Sequence, residues 1–320
     1  KFQYAADRLI PDSLVFCLIL TFVVFVLSMI FTMTDPLTMI KYWYAGFWTQ
    51  STFAFQMTIM VVTCAAFAKS PVIERFLDKF AGITHSPRGA MVIFMIFGFV
   101  ASFINWAFCS IACPVLAMRM AKQIKGLHFP MMIAAGYSSM VLGQCMGPSA
   151  SVYALLATPD HFLVDLIGVM TQAQTTYNPM NVILWCILAV VTVVVSVLTT
   201  PPANELIEFQ DTMANVKSTV VSIENVTPAD KMNNSRICMW LIGIAGLVYI
   251  IYSFVTKGVM ASLGLNFVIF IFTVLNCFVY NTPRKFISAY RECMFLATDV
   301  MIQFPFYGGI AGMMSSSGFA

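Results

Sequence analysis

Ala90-Met-Val-Ile-Phe-Met-Ile-Phe-Gly-Phe-Val-Ala-Ser-Phe-Ile-Asn105-Trp-Ala-Phe-Cys-Ser-Ile-Ala-Cys-Pro-Val-Leu-Ala-Met118, closed by Arg119, Lys122 and Lys125, is the stretch on which the fold turns. No charged side chain lies between 90 and 118. One straight helix of that length would run roughly 43 Å, against a hydrocarbon core of about 30 Å. Both flanks are basic, with Lys69, Arg75, Lys79 and Arg88 ahead of it, and basic flanks favour the cytoplasmic side. A segment that begins and ends on one side is a re-entrant hairpin. Its middle holds Ser102, Asn105, Trp106, Cys109 and Ser110, polar or small where a lipid-facing helix carries Leu. Non-helical backbone at membrane depth survives only where protein or a wet cavity covers it, so a turn here lines a cavity at which two helix ends meet. The competing reading is one long tilted helix with Asn105 hydrogen-bonded inside a bundle.

Composition sets the class. Hydrophobic residues make up 60% of the 320 and charged residues 10%, with a mean hydropathy of +0.85; soluble domains run near 45–50% and 25%. The chain reads as an all-α polytopic membrane protein. Its net charge of +3 resides in loops and reports topology, not nucleic-acid binding. Nine cysteines include no Cys-x-x-Cys, and Cys109 and Cys113 read as packing thiols. His85, His128 and His161 lie at segment ends, and no hydrolytic or phosphate-loop motif is present. Neither an enzyme nor a cofactor is expected.

Working outward, Ser13–Thr34 is a first span, ended by Thr34-Asp35-Pro36. Leu37–Trp48 is aromatic enough for a short interfacial helix, and Thr49–Ala68 returns to a basic loop at 69–89. After the hairpin, an uncharged stretch of about 129–157 contains Ser138, Ser139, Gly143, Gln144, Gly147, Pro148, Ser149 and Ser151. Such residues interrupt a helix and free backbone groups, and interrupted helices build transporter sites. Asn181–Leu198 crosses again. We divide the chain into a first half (1–203), a polar cytoplasmic connector (204–236) and the start of a second half (237–320). The second half holds spans at 237–255 and 261–280, an interfacial helix around Phe286 and Tyr290, and a span at Thr298–Ser317. The N-terminus is expected in the cytoplasm, with Arg8 as its anchor.

The halves resemble each other. Thr34-Asp35-Pro36 matches Asn281-Thr282-Pro283, an aromatic amphipathic stretch follows each, and Phe53-Ala54-Phe55-Gln56 matches Phe304-Pro305-Phe306-Tyr307. The matched spans run in opposite directions, an inverted repeat of the kind found in secondary transporters. Counting on from Phe304 by the separation of Asn105 from Phe53 runs past Ala320. The second hairpin is therefore expected beyond this chain, which we read as incomplete at its C-terminus.

At Leu9-Ile10-Pro11-Asp12-Ser13-Leu14, Gly46-Phe47-Trp48, Phe103-Ile104-Asn105-Trp106, Leu156-Ala157-Thr158-Pro159, Ser235-Arg236-Ile237 and Gln303-Phe304-Pro305-Phe306-Tyr307-Gly308-Gly309-Ile310 the sequence resembles the short-chain fatty acid transporter family, of the acetoacetate/butyrate type. That family is similar to the wider ion-transporter superfamily. The resemblance implies an inner-membrane symporter for short-chain monocarboxylates, an elevator mechanism in which a domain carrying two hairpins moves past a scaffold, and a homodimer. The sequence departs from the family's glycine pattern at Ala107 and Cys109 and in Gly143–Ser149.

An anionic substrate needs positive potential, yet no Lys or Arg lies within 90–118 or 129–157. Helix N-termini, hydroxyls and amides must supply it. The expected substrate-binding set is Ser102, Asn105, Ser110, Gln144, Ser149 and Ser151, with Trp106 and Phe108 shaping the alkyl end. Asn105 serves equally as a turn cap on this reading. A coupling sodium ion is placed near Asn105 and Ser149, and sodium is favoured over protons because no buried ionisable group stands out. The alternative is a non-transporting subunit of a larger membrane complex, or a channel.

Overall fold

Short polar residues set just before prolines or apolar runs fix where the helices begin. The computed structural model describes residues 11–148, 150–157, 164–209 and 227–319, and every regular element among them is helical. Helix α1 (Ser13–Thr32) is capped by Asp12, which accepts from the Leu14 N–H at 2.9 Å, and it closes on Met33 in the left-handed region (φ 53°). Asp35 caps α2 (Pro36–Phe47), accepting from Thr38 N–H at 2.9 Å, with Pro36 in the first turn where a missing N–H costs nothing. Next come α3 (Ser51–Ala68), α4 (Pro71–Ala81), α5 (Pro87–Ile104), α6 (Trp106–Gln123), α7 (Phe129–Gln144), α8 (Ser151–Leu156), α9 (Val164–Ile167) and α10 (Pro179–Leu198). The chain continues through α11 (Pro228–Asn233), α12 (Ile237–Lys257), α13 (Val259–Ser262), α14 (Leu265–Tyr280), α15 (Pro283–Cys293) and α16 (Thr298–Ser317). Among the described residues six helical stretches are long and apolar enough to cross a membrane. The protein is an all-helical, polytopic membrane protein.

Two stretches differ from the sequence reading. The segment 69–89, expected as a basic loop, contains α4: Ser70 caps it, Glu74 sits in its first turn and Lys79 in its last, and it buries Leu77 and Ala81. The stretch 261–280 is not one helix, because the chain leaves helical geometry at Leu263 and restarts α14 behind Gly264.

The chain packs as two compact units, one of residues up to Met60 with those from Met294 onward, the other Val61–Cys293. In the first unit α16 lies on α2 and α1, over a core of Cys17, Val24, Met39, Ile310 and Met313. Glycines bring two backbones into contact there. A Cβ on Gly46 would stand 2.7 Å from Gly312 Cα, and one on Gly308 would stand 2.5 Å from the Gly46 carbonyl oxygen. Gln303 Nε2 donates to Ser13 Oγ at 2.7 Å. The phenylalanines of the two repeat-matched motifs, Phe53 and Phe304, stack edge to face with centroids 5.3 Å apart.

In the second unit α5, α6 and α7 pack on one another and α12 pairs with α14. The side chain of Asn276 donates to the Thr63 carbonyl at 2.9 Å, and Tyr280 OH donates to that of Ala66 at 2.5 Å. These bonds tie the later part of α3 to α14. Arg119 near the end of α6 donates to the Glu74 carbonyl at 2.9 Å and pairs with Asp78, both on α4.

Gly46→Ala places its Cβ against backbone that cannot rotate aside, so a loss of roughly 1–3 kcal/mol is expected. Gly82→Ala, whose Cβ would meet its nearest atoms at 3.6 Å, is expected to leave the thermal midpoint of the detergent-solubilised protein unchanged.

Candidate functional site: two breaks in the backbone

Asn105 stops one helix and starts the next. Its backbone is extended (φ −164°, ψ 128°) and its side chain is wholly buried. The amide oxygen accepts from the N–H groups of Ala107 at 2.8 Å and Phe108 at 3.2 Å. Its own N–H goes to the Ala101 carbonyl at 2.9 Å, and its carbonyl accepts from Cys109 N–H at 3.1 Å. A first turn cut off from water must have its orphan donors met by protein, and Asn is among the best caps.

The chain reverses at this point. Cys109 Sγ reaches the Gly98 carbonyl at 3.4 Å, across the turn. At the far end of the arms, a Cβ on Gly126 would stand 3.7 Å from Pro87 Cγ, and one on Gly82 would stand 3.6 Å from Gln123 Oε1. The start of α5 and the finish of α6 are neighbours, so the single long helix is excluded and α5–α6 is a helical hairpin with Asn105 at its tip.

Small residues seat α7 against the first arm. A Cβ on Gly98 would come within 2.7 Å of Ser139 Cβ, and one on Gly143 within 2.7 Å of Ser102 Cβ. That is the small-xxx-small spacing by which membrane helices approach closely. Ser102 Oγ, wholly buried, donates to the Met140 carbonyl at 2.6 Å. Helix α7 then ends, Cys145–Pro148 and Ala150 are not helical, and α8 begins at Ser151. This is the interruption expected within 129–157. A Cβ on Gly147 would press on the Phe103 carbonyl oxygen at 2.5 Å, so the second break lies on the last turn of α5, next to the tip of the hairpin.

Donors from further along the chain meet carbonyls at this break. Trp185 Nε1 of α10 donates to Leu142 O at 2.8 Å, and Gln172 Nε2 to Pro148 O at 3.0 Å. Asn181 Nδ2 donates to Thr176 O at 2.9 Å and lies 3.7 Å from Met146 Sδ. The sequence reading missed all three. Their signal was a polar residue at or near the head of an otherwise apolar span. Thr176 itself is wholly buried, its hydroxyl unpartnered among the described residues.

Of the residues expected at the site, Ser102 meets the end of α7 at Gly143, beside Gln144, which ends α7 half-buried, and Asn105 lies three residues further on, at the hairpin turn. Trp106 opens α6, and its indole N–H is buried without a hydrogen-bond partner among the described residues. Phe108 packs between Phe67 and Phe272, with centroids 5.9 and 6.0 Å away. Ser110 donates to the Ala107 carbonyl at 2.9 Å. It also borders a cavity of about 10 Å³, room for one water-sized body, lined with Cys109, Cys113, Pro114 and Met140. Ser149 lies outside the described residues, and for Ser151 only the backbone, at the start of α8, is described. Among the described residues, the groups assembled here are neutral: amides, hydroxyls, an indole N–H and helix ends.

Asn105→Ala strips the cap from α6 and is expected to lower stability by about 0.5–2 kcal/mol, while Asn105→Ser keeps an acceptor and most of the stability. Thermal unfolding of the two variants side by side checks this.

A profile of the family described as "Short chain fatty acid transporter" matches residues 2–320. The chain is 27% identical over 314 residues to a protein of Escherichia coli (strain K12) provisionally named a short-chain fatty acid transporter, covering 98% of this chain and 71% of that one. It is 29% identical over 322 residues, with the same 98% and 71% coverage, to a protein of Haemophilus influenzae (strain ATCC 51907 / DSM 11121 / KW20 / Rd) bearing the same provisional name. No solved structure matches the chain. With its hairpin and interrupted helix set in an uncharged membrane segment, the chain belongs to the short chain fatty acid transporter family, a family of membrane transporters and not of enzymes.

Proposed function

We propose that the protein is a secondary active transporter that carries short-chain monocarboxylates, fatty acids and acetoacetate among them, across the inner membrane by symport with sodium ions. The observation that carries this reading is the seating of the chain after α7, at Gly147, on the Ser102 and Phe103 carbonyls, in the last turn of α5 just ahead of the Asn105 break. Discontinuous helices meeting in the membrane are how many ion-coupled carriers build a site from backbone dipoles. Family membership and the names of the two relatives support the substrate class.

In this proposal the hairpin enters and leaves from the cytoplasmic side, where the N-terminus also lies. The carboxylate sits at the N-terminal end of α6, held by the Trp106 indole N–H and by the polar groups of Ser102, Ser110, Gln144, Ser149 and Ser151. The sodium ion sits by Asn105 and Ser149. Because Asn105 Oδ1 already accepts two backbone N–H groups, its first task is to hold the tip in shape. The superfamily resemblance supports an elevator motion and a homodimer. Sodium is preferred to protons because the site is made of neutral groups.

Proteoliposomes loaded with potassium salt are the test. Labelled butyrate is expected to accumulate under an inward sodium gradient and to stop accumulating when choline replaces sodium. Accumulation driven equally well by an acid exterior without sodium would move the coupling to protons. No uptake under either gradient would overturn the reading. Trp106→Phe is expected to raise KM about tenfold or more with little change in the maximal rate, the loss expected for one hydrogen bond to a charged group.

A further inference from the structure

A second polar pocket lies at one end of the α12–α14 pair, in a part of the chain that the transport site does not use. It is a half-open hollow of about 400 Å³, lined by Asp230 and Asn233 of α11 and by Pro283, Arg284, Ile287 and Arg291 of α15. Helix α11 directly precedes α12 and α15 directly follows α14, so both walls hang from the same end of that pair. Trp240 Nε1 donates to Asn281 Oδ1 at 3.3 Å there. Arg284, Ile287 and Arg291 recur at helical spacing along one face of α15, a basic–apolar–basic stripe.

The charges in the pocket do not balance. Asp230 closes a capping box with Thr227, whose hydroxyl and N–H hold its carboxyl below the usual carboxylate range. Arg284 Nη1 stands 3.5 Å from this carboxylate. Arg291 is exposed and has no ion-pair partner among the described residues. One guanidinium is neutralised and one is not, leaving a single positive charge beside the Asn233 amide. Lys231, Arg236 and Lys285, with one acid, Glu292, are close by in sequence, whereas the other end of α12 carries Lys257. Beside the pocket, α12 begins with Ile237 at 74% exposure, followed by Leu241 at 66%, a surface made for acyl chains.

We propose that this pocket holds the phosphodiester headgroup of an anionic phospholipid. A diester carries one negative charge, matching the single uncompensated cation, whereas free phosphate at neutral pH carries more than one. Guanidinium groups suit its paired oxygens, and basic pockets at the ends of membrane helices are where anionic headgroups settle. Bound there, the lipid would brace α15 against the end of the α12–α14 pair.

Thermal unfolding of the full-length protein in neutral detergent, titrated with dioctanoyl-phosphatidylglycerol, tests the proposal. The midpoint is expected to rise with this lipid and not with dioctanoyl-phosphatidylcholine or inorganic phosphate. Arg291→Gln breaks no ion pair, so it is expected to keep the lipid-free midpoint and weaken the apparent affinity about tenfold, with Lys257→Gln unchanged. Arg284→Gln also disturbs Asp230, so Arg291→Gln is the deciding variant. Equal stabilisation by phosphatidylcholine, stabilisation by phosphate alone, or an undiminished response in Arg291→Gln would each overturn the proposal.

Discussion

A peptide chain that turns inside a membrane must find a partner for every backbone N–H and carbonyl it releases, because no bulk water is there to take them. At the α5–α6 turn Asn105 supplies such partners with one residue. It carries a bond back to Ala101, takes the N–H groups of Ala107 and Phe108 on its amide, and accepts from Cys109. The unit from Val61 to Cys293 is arranged around the reversal that this makes possible. The second break follows the same rule with different means, borrowing donors from Trp185 and Gln172 instead of carrying its own cap.

Close packing then places the two breaks against each other. Gly98, Ser102, Ser139, Gly143 and Gly147 let α5 and α7 approach until backbone meets backbone. The same device, with Gly46, Gly308 and Gly312, holds α2 to α16 in the other unit. In lipid, where burying apolar surface gains little, shape at small residues and a few internal hydrogen bonds supply the association. Among the described residues, the groups brought together this way are neutral.

Much of this was legible in the sequence because charge and length are topological statements. Basic flanks on both sides of an uncharged run too long for one span pointed to a hairpin, and Asn105 as its turn cap is what the structure contains. The glycine-serine cluster announced the interruption at Cys145–Ala150, and the proline-led starts of α2 and α15 were visible from Asp35-Pro36 and Thr282-Pro283. Helix α4 escaped notice because its charges were counted as loop charges; its period was there in Val72, Phe76, Leu77 and Phe80. The roles of individual site residues were less legible. Ser102 was expected to bind substrate and Phe108 to shape the alkyl end of the site, whereas the structure bonds Ser102 to the Met140 carbonyl and packs Phe108 between two rings. For Gln172 and Trp185 a polar group near the head of an apolar span was the signal, but nothing local says which distant carbonyl each faces.

Re-entry of the hairpin is the claim on which the transport reading stands, and sidedness of labelling measures it directly. Cysteines placed singly at Ser86 and at Lys122, in the full-length protein without other reactive cysteines, would be challenged with a membrane-impermeant maleimide in intact cells and again after the cytoplasmic face is opened. Both positions are expected to label only from the cytoplasmic face. Labelling of the two from opposite faces would contradict a hairpin that returns to the side from which it entered.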